Sequence, residues 1–197
     1  DTFDVERYGE PGFPHESRIY GDLLERVALE GSATYQLQAG QFLRLSEGIE
    51  LFVLGPGERF IRGSRSDTNT NSLVLLLRYQ EVTVLFTGDA ELPTETRLLQ
   101  EGWLEDIDVL KVAHHGSAHA TTERFLQATT PEIAVISCGR NNNYGHPAPE
   151  AVERLEAFAE DGIFRTDEAG TIQLTTDGKS FWIAPIAPPD TEDSRPV

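Results

Sequence analysis

The sequence predicts a layered α/β fold built around a mixed β-sheet. Two nearly continuous apolar runs, residues 73–77 and 82–86, are separated only by Arg-Tyr-Gln-Glu, which is typical of a hairpin of strands buried on both faces. Farther along the chain, short apolar runs alternate with amphipathic helical segments, as they do where strands run parallel. A final Asp177-Gly178 turn predicts a second hairpin, so the sheet should combine parallel and antiparallel neighbours.

The segments before the first hairpin contain one helix and several short strands. Residues 1–17 are interrupted by glycine and proline, which predicts a connector. A helix is predicted over residues 18–29, because Ser17 can cap its first turn and Gly31 can end it. Residues 63–72 contain no apolar side chain and are predicted to form a flexible surface loop. Short strands are predicted at 34–37, 42–45 and 49–54.

The segments after the first hairpin alternate between helix and strand. Pro93 suits the first turn of a helix over residues 91–101, and Gly102 can end that helix. One domain is therefore predicted over residues 1–185, followed by a disordered tail over residues 186–197. The remaining helices are predicted at 121–128 and 149–160, and the remaining strands at 109–112, 133–137, 163–165, 171–175 and 181–184.

Composition limits the classes of function. The formal net charge is −17, with an isoelectric point near 4.6, and such a surface repels phosphate backbones. A passive nucleic-acid-binding module is therefore disfavoured. Cys138 is the single cysteine, which excludes an internal disulfide, and no apolar run has the length of a membrane span. Methionine is absent, so we expect the chain to be a piece of something longer.

Acidic and imidazole side chains follow the ends of two predicted strands. Asp89 comes just after strand 82–86, and His114 and His115 come just after strand 109–112. In layered α/β folds this edge of the sheet is where ligands collect, and His146 could join them from a later loop. Carboxylate and imidazole together suit zinc or manganese, and a metal-bound water is a nucleophile near neutral pH.

The two adjacent histidines set a condition on that site. On a regular strand, His114 and His115 would point to opposite faces, so both could reach it only if the chain turns there, as Gly116 allows. Each residue also has an ordinary structural interpretation, since aspartate after glycine is a common turn pair. From the residues alone, a shared metal site and a set of ordinary turn residues are two equally supported interpretations.

Several motifs together resemble the C-terminal metallo-β-lactamase-fold domain of ComEC-type competence proteins. They are NTNS, LVLLLRY, VLFTGD, DVLKVAHHGS, AVISCGRNNNYGHP and RTDEAGTI. The resemblance implies a metallo-β-lactamase-like αββα sandwich with a mixed sheet, of which this chain is the C-terminal portion. It also implies a metal-dependent phosphodiesterase or nuclease that degrades the DNA strand not imported during DNA uptake. Small hydrolases of the same superfamily, among them phosphorylcholine esterases, share the HHGS element.

The resemblance also implies roles for individual residues. Asp89 matches a carboxylate that bridges two metal ions, zinc or manganese, and His115 is favoured as the last histidine ligand, with His114 turned toward the substrate phosphate. Single-stranded DNA is the expected substrate. The expected partner is the membrane channel portion of the same bacterial parent protein, to which a soluble domain would be attached on a side that is undetermined. Polar positions expected around the substrate are Asn71, Ser72, Ser117, Asn143, Tyr144 and His146.

One departure from the family pattern limits these expectations. The main metal motif of the family, HxHxDH, occurs nowhere in the chain, so the strands that carry it are expected before Asp1 or have been lost. Catalytic metal sites usually need about three protein ligands, so this fragment is expected to bind metal weakly, or not at all, and to be inactive alone. Two alternatives remain: a small-molecule metallo-hydrolase of the same fold, or a metal-free domain that packs on a membrane channel. An unpaired sheet edge would also invite self-association.

Overall fold

The computed structural model describes residues 4–186 and contains both helices and strands, numbered here in chain order. The strands are β1 (Arg7–Glu10), β2 (Ala33–Gln36), β3 (Phe42–Ser46), β4 (Ile49–Gly55), β5 (Val74–Tyr79), β6 (Val82–Phe86), β7 (Val109–Lys111), β8 (Ile133–Ile136), β9 (Gly162–Arg165), β10 (Thr171–Thr176) and β11 (Phe181–Ile186). The helices are α1 (Arg18–Glu30), α2 (Asp67–Thr70), α3 (Leu92–Glu101), α4 (Glu123–Thr129), α5 (Pro149–Glu156) and α6 (Thr166–Ala169), and a 3₁₀ turn spans Ala113–Gly116.

The main sheet has seven strands in the spatial order β3-β4-β5-β6-β7-β8-β9. Neighbours from β3 to β6 are antiparallel, and neighbours from β6 to β9 are parallel. The predicted mixed sheet is thus confirmed. Because β6 and β7 are parallel neighbours, their carboxyl ends lie side by side, with Phe86 paired to Lys111. The loops that follow these two strands therefore start at the same edge.

The two faces of the main sheet are covered differently. Helices α3, α4 and α5 pack on one face, where Leu98, Phe125 and Leu155 are fully buried against strand residues. The hairpin β10–β11 packs on the other face, with Leu174, Phe181 and Ile183 against a second apolar cluster. Burying a side chain of this size stabilises the fold by about 1.5–3 kcal/mol. Packing on both faces explains why the central strands have nearly continuous apolar sequences.

Two segments that were predicted to be irregular form regular structure. Within the predicted connector, Arg7–Glu10 forms β1 and pairs in parallel with β2. Within the predicted loop 63–72, Asp67–Thr70 forms the short helix α2, so the prediction of a flexible loop is wrong. Ser66 caps this helix by accepting a hydrogen bond from the Asn69 N–H, and the Asp67 carboxylate accepts from the Gly63 and Ser64 N–H groups. Capping and local polar bonds, rather than apolar packing, hold this turn.

The remaining outcomes concern helix ends and the tail. Ser17 caps α1 by accepting a hydrogen bond from the Tyr20 N–H at 3.2 Å, and Gly31 ends that helix in the left-handed conformation, as predicted. The predicted tail over residues 186–197 lies outside the described residues, apart from Ile186, which is the last residue of β11. Within residues 4–186, no helix combines the length and the apolar character needed to cross a bilayer.

Candidate active site at the carboxyl edge of the sheet

Asp89 lies in a tight turn directly after β6. Gly88 adopts a left-handed φ of 55°, and a Cβ at that position would lie 3.0 Å from the Leu73 carbonyl oxygen, so both the backbone conformation and the close contact favour glycine. The Asp89 N–H donates to Ser72 Oγ at 3.2 Å, and the His114 N–H donates to the Gly88 carbonyl at 3.0 Å. The first bond ties the Asp89 turn to the segment before β5, and the second ties it to the loop that carries the histidines.

The two adjacent histidines lie in a turn rather than on a strand. His114 and His115 have φ values of 46° and 56°, both in the left-handed region that side chains rarely adopt. The Ser117 N–H donates to the His114 carbonyl at 2.9 Å and closes the turn. A backbone strained at two successive residues persists only when its surroundings hold it, and such strain concentrates at functional sites. The chain therefore turns at the two histidines, which is what both imidazoles need in order to reach the same edge of the sheet.

His115 presents one ring nitrogen to Asp89. Its Nδ1–H donates to the Ser137 carbonyl oxygen at 2.7 Å, which leaves Nε2 without a hydrogen in the neutral ring. That Nε2 atom lies 3.5 Å from Asp89 Oδ1, and both side chains are partly open to solvent. Metal-binding histidines commonly donate their other nitrogen to a backbone carbonyl in this way. The pair is therefore oriented as two ligands of a shared cation would be.

The His114 ring contacts a different set of side chains from the His115 ring. Its Nδ1 atom lies 3.2 Å from Glu91 Oε1, and its Nε2 atom lies 3.4 Å from Asn69 Nδ2. The contact with Glu91 is close enough for an ion pair, but its angles are not those of a hydrogen bond, and among the described residues the buried Nδ1 has no hydrogen-bond partner. The His146 ring packs edge to face against His114, with centroids 5.6 Å apart. The two adjacent histidines thus serve two different surfaces.

Asn142 fixes the loop that carries Tyr144 and His146. Its side chain donates to the Gly139 and His146 carbonyls and accepts from the Tyr144 and His146 N–H groups, four hydrogen bonds in all. Tyr144 is 82% exposed and stacks on the His146 ring at 6.1 Å with an interplanar angle of 18°. Burial first, and then the nearby His114 and His115, lower the pKa of His146 below its ordinary value. An asparagine next to the predicted Asn143 is therefore the residue that orders this loop.

Several polar side chains that the motifs did not single out line a cavity of about 450 Å³ beside His114. Asn69, Arg65 and His119 lie on its wall together with Ser117, Tyr144 and His146. Asn69 and Arg65 belong to the polar segment that was predicted to be a loop. A cluster of polar residues is typical of surface loops, so this segment carried no signal that distinguishes the wall of a cavity from a simple loop.

Comparisons with known proteins identify the fold family. The family model described as the metallo-beta-lactamase superfamily matches residues 23–140, which is more than half of the chain. The chain belongs to the metallo-β-lactamase superfamily. The solved structure of CmlA, a diiron beta-hydroxylase from Streptomyces venezuelae, has a TM-score of 0.54 at 15% identity. The alignment covers 80% of this chain and 38% of the CmlA chain, and at this level of identity it supports a shared fold alone.

This metallo-β-lactamase chain is also similar to competence proteins, as its motifs predicted. ComE operon protein 3 of Bacillus subtilis is 32% identical over 171 residues, 87% of this chain. Recombination protein 2 of Haemophilus influenzae and competence protein ComA of Neisseria gonorrhoeae are 33% and 34% identical, each over 65% of this chain. The matched regions cover 21%, 15% and 18% of these three proteins, so the chain spans about a fifth of their length or less.

The superfamily implies divalent metal ions, which the described residues fit only in part. Asp89 and His115 provide one oxygen and one nitrogen that face each other, as two ligands of one ion should. Between residues 4 and 186, however, no three histidine, cysteine, aspartate or glutamate residues are grouped so that they could hold a metal ion. A catalytic zinc usually has three protein ligands. These two residues can therefore form part of a metal site and do not complete one.

The predicted substrate-binding residues take different positions relative to the Asp89–His115 pair. Ser117, Tyr144 and His146 line the cavity beside His114, and Ser72 supports Asp89. Asn71 is buried, and its side-chain amide hydrogen-bonds the Ile61 backbone and the Asp67 carbonyl, so it supports the loop; it also lines a cavity with Ser72 and Asp89. Asn143 is exposed on the outer part of its loop. Direct contact between these residues and a substrate stays a prediction.

Proposed function

We propose that this chain is the C-terminal part of a metal-dependent phosphodiesterase or nuclease domain in a ComEC-type competence protein. Its role is to degrade the DNA strand that is not imported during DNA uptake. The observation that carries this proposal is the pair formed by His115 and Asp89, whose Nε2 and Oδ1 atoms face each other at 3.5 Å. Two groups without hydrogens repel each other at this distance unless a cation or a proton lies between them. Similarity to competence proteins supports the choice of DNA as substrate.

In this proposal Asp89 and His115 would hold a zinc or manganese ion together with ligands from outside residues 4–186. When bound, such an ion supplies a water of lowered pKa and a positive charge next to the scissile phosphate. His114 would orient the substrate phosphate, because its ring faces the cavity beside the centre rather than Asp89. Asp89, His114 and His115 are thus the proposed catalytic group.

The proposal includes a setting for the domain. We expect it to be attached to the membrane channel portion of the same bacterial parent protein and to receive single-stranded DNA there. Strand β3 is an outer strand of the main sheet and exposes Phe42 and Leu45, so self-association through that edge is a further expectation.

Because the ligand set is incomplete in this chain, the test supplies the missing ligands. The purified chain is compared with a fusion that places the HxHxDH-containing first half of a competence relative's domain before Asp1. With manganese present, the fusion should cleave fluorescein-labelled single-stranded DNA, while the chain alone should show little cleavage. Asp89→Ala and His115→Ala in the fusion should each reduce cleavage by at least about a hundredfold, as the loss of a metal ligand or its support does.

Other outcomes would redirect the proposal. Cleavage of small chromogenic phosphodiesters with no action on DNA would favour a small-molecule hydrolase, which the charge of −17 also favours because it repels polyanions. A fusion that folds but holds no metal by elemental analysis would favour a non-catalytic domain. Robust, Asp89-dependent cleavage by the chain alone would contradict the ligand count given above.

A further inference from the structure

The cavity beside His114 is less acidic than the molecule as a whole, since its one carboxylate is matched by one arginine. The chain carries a formal charge of −17, yet this cavity is lined by Arg65, His114, His119 and His146 against one carboxylate, Glu91. That carboxylate is buried against His114. Within the part of the chain that the structure describes, neither Arg65 nor His119 forms an ion pair. Over residues 4–186, Arg65 is thus a cation without an acidic partner, and both Arg65 and His119 can donate hydrogen bonds to an anionic ligand.

The cavity is also longer than a single phosphate requires. An adjoining cavity of about 470 Å³ shares Arg65, Glu91 and His119 with it, so the two are continuous and form one groove. The wall of the adjoining cavity adds one cation, Arg154, and one carboxylate, Glu123. At the opposite end, Tyr144 and His146 also line a third cavity that contains His115. A ligand that starts at His115 can therefore pass Tyr144 and continue along the groove toward Arg65. This arrangement fits a chain of phosphates better than one small anion.

Tyr144 gives the groove an aromatic surface at its rim. The ring is 82% exposed, although an aromatic side chain of this size gains free energy by burial. It is nevertheless held in place, since it stacks on His146 and its backbone N–H donates to Asn142 Oδ1 at 3.1 Å. A rigid, exposed aromatic ring beside cationic side chains is the arrangement that proteins use to bind unpaired nucleotides, because every base offers a face for stacking.

We infer that this groove binds the nucleotides on one side of the scissile phosphate, with a base stacked on Tyr144 and a backbone phosphate held by Arg65 and His119. This inference rests on the proposed function and specifies its substrate as a single strand with exposed bases. Double-stranded DNA keeps its bases stacked inside the helix, so it offers no face to Tyr144.

Binding without cleavage tests the groove directly. The purified chain, with EDTA present, is titrated with a labelled oligothymidylate and with an abasic deoxyribose-phosphate strand of the same length. Tyr144→Ala should weaken binding of the oligothymidylate about tenfold and leave the abasic strand unchanged, since one base–aromatic stack has this magnitude. Tyr144→Phe keeps the ring and should restore binding. Because Tyr144 is exposed, neither change should disturb folding.

The phosphate part of the groove has a separate signature. Arg65→Gln should weaken binding of both strands and reduce its salt dependence, lowering the slope of log affinity against log salt by about 0.7 per lost phosphate contact.

Trp182→Ala is the matched aromatic control, since Trp182 is 58% exposed and lies in β11 next to the turn at Gly178. That turn bonds Glu81 at the start of β6, the end opposite Asp89, so this change should leave both affinities unchanged.

Three results would overturn the inference. They are equal effects of Tyr144→Ala on both strands, an effect of Trp182→Ala as large as that of Tyr144→Ala, or no binding of either strand by the unmodified chain. None of them decides the proposed function, whose readout is metal-dependent cleavage by the fusion that needs Asp89. Conversely, if the fusion does not cleave DNA while the purified chain still shows Tyr144-dependent binding, the proposed hydrolase activity is rejected and the binding groove is supported.

Discussion

His115 Nε2 and Asp89 Oδ1 face each other at 3.5 Å, while the other nitrogen of the same ring is fixed by the Ser137 carbonyl. His114, the preceding residue in the chain, contacts Glu91 and Asn69 instead. A left-handed turn at both histidines separates their directions. The turn therefore directs the His115 ring toward Asp89 and the His114 ring toward the neighbouring groove.

Metal binding by the fusion that carries the HxHxDH half should distinguish the two histidines, because residues 4–186 alone do not hold a full set of ligands. His115→Ala should reduce the affinity for Mn²⁺ at least about tenfold, because it removes the nitrogen that faces Asp89. His114→Ala should change the affinity less than about threefold, because the two nitrogens of that ring lie beside Glu91 and Asn69. Electron paramagnetic resonance of free Mn²⁺ during a titration measures both. A larger loss in His114→Ala than in His115→Ala would reverse the assignment.

Asn142 should contribute far more stability than its neighbour Asn143. Asn142→Ala removes four hydrogen bonds that order the loop around His146, which should lower the free energy of unfolding by about 2 kcal/mol. Asn143 is exposed, so Asn143→Ala should change it by less than about 0.5 kcal/mol. Urea denaturation followed by tryptophan fluorescence measures the difference. Equal effects would show that the loop is held by something other than Asn142.

The sequence predicted the elements that apolar packing determines. Strands β5, β6, β7 and β8 are buried and have apolar sequences, so the amino-acid pattern alone located their ends, and with them Asp89 and His115. Helix α2 has no apolar residue and is held by the Ser66 cap and Asp67, so neither periodicity nor composition indicated it. Strand β1 is four residues long and lies among glycines and prolines.

The direction of a side chain was harder to predict than the position of a strand. Only the φ values of His114 and His115 decide which ring faces Asp89, and those values depend on tertiary contacts such as the bond from the His114 N–H to Gly88. Asn69 and Arg65 reached the groove through α2, which was itself unexpected. Asn142 differs from Asn141 and Asn143 in its contacts and not in its residue type.

Glu95 should be a structural support of the loop that follows the histidine turn. It is almost fully buried in α3, and its carboxylate accepts hydrogen bonds from the Thr121 N–H, the Thr122 N–H and the Thr122 hydroxyl. Burial is the main cause that raises its pKa above the ordinary value. Glu95→Ala should leave these donors without a partner and lower the free energy of unfolding by about 3 kcal/mol.

A matched control for Glu95 lies on the same helix. Glu101 is exposed and pairs with Arg97 near the end of α3, so Glu101→Ala should change the free energy of unfolding by less than about 1 kcal/mol. Thermal unfolding of both variants at neutral pH compares them. Equal stability of Glu95→Ala and the unmodified chain would mean that water replaces the lost carboxylate and that residues 121–122 tolerate its removal.

The Tyr20 hydroxyl should titrate far above an ordinary tyrosine. It donates to Glu10 Oε2 at 2.7 Å, and this hydrogen bond is the main cause that raises the pKa of Tyr20 to about 12. Since the folded pKa exceeds the ordinary value of 10.0, the contact should stabilise the fold fully below pH 10 and lose that contribution as the pH rises through 12. Both residues line a cavity that reaches Asp89, so the contact bears on the shape of the site.

Glu10→Ala tests this contact, because alanine removes both the hydrogen-bond acceptor and the negative charge that raise the pKa of Tyr20. The pKa of Tyr20 should then fall toward its ordinary value. Nuclear magnetic resonance of ¹³C-labelled tyrosine, with Tyr20→Phe to assign the signal, follows the titration of this one ring. Tyr35 is exposed and supplies an internal comparison in the same spectra. If Tyr20 titrates at the same pH as Tyr35 in the unmodified chain, then Glu10 does not retain the proton of the Tyr20 hydroxyl. The link between β1 and α1 beside Asp89 must then depend on other contacts.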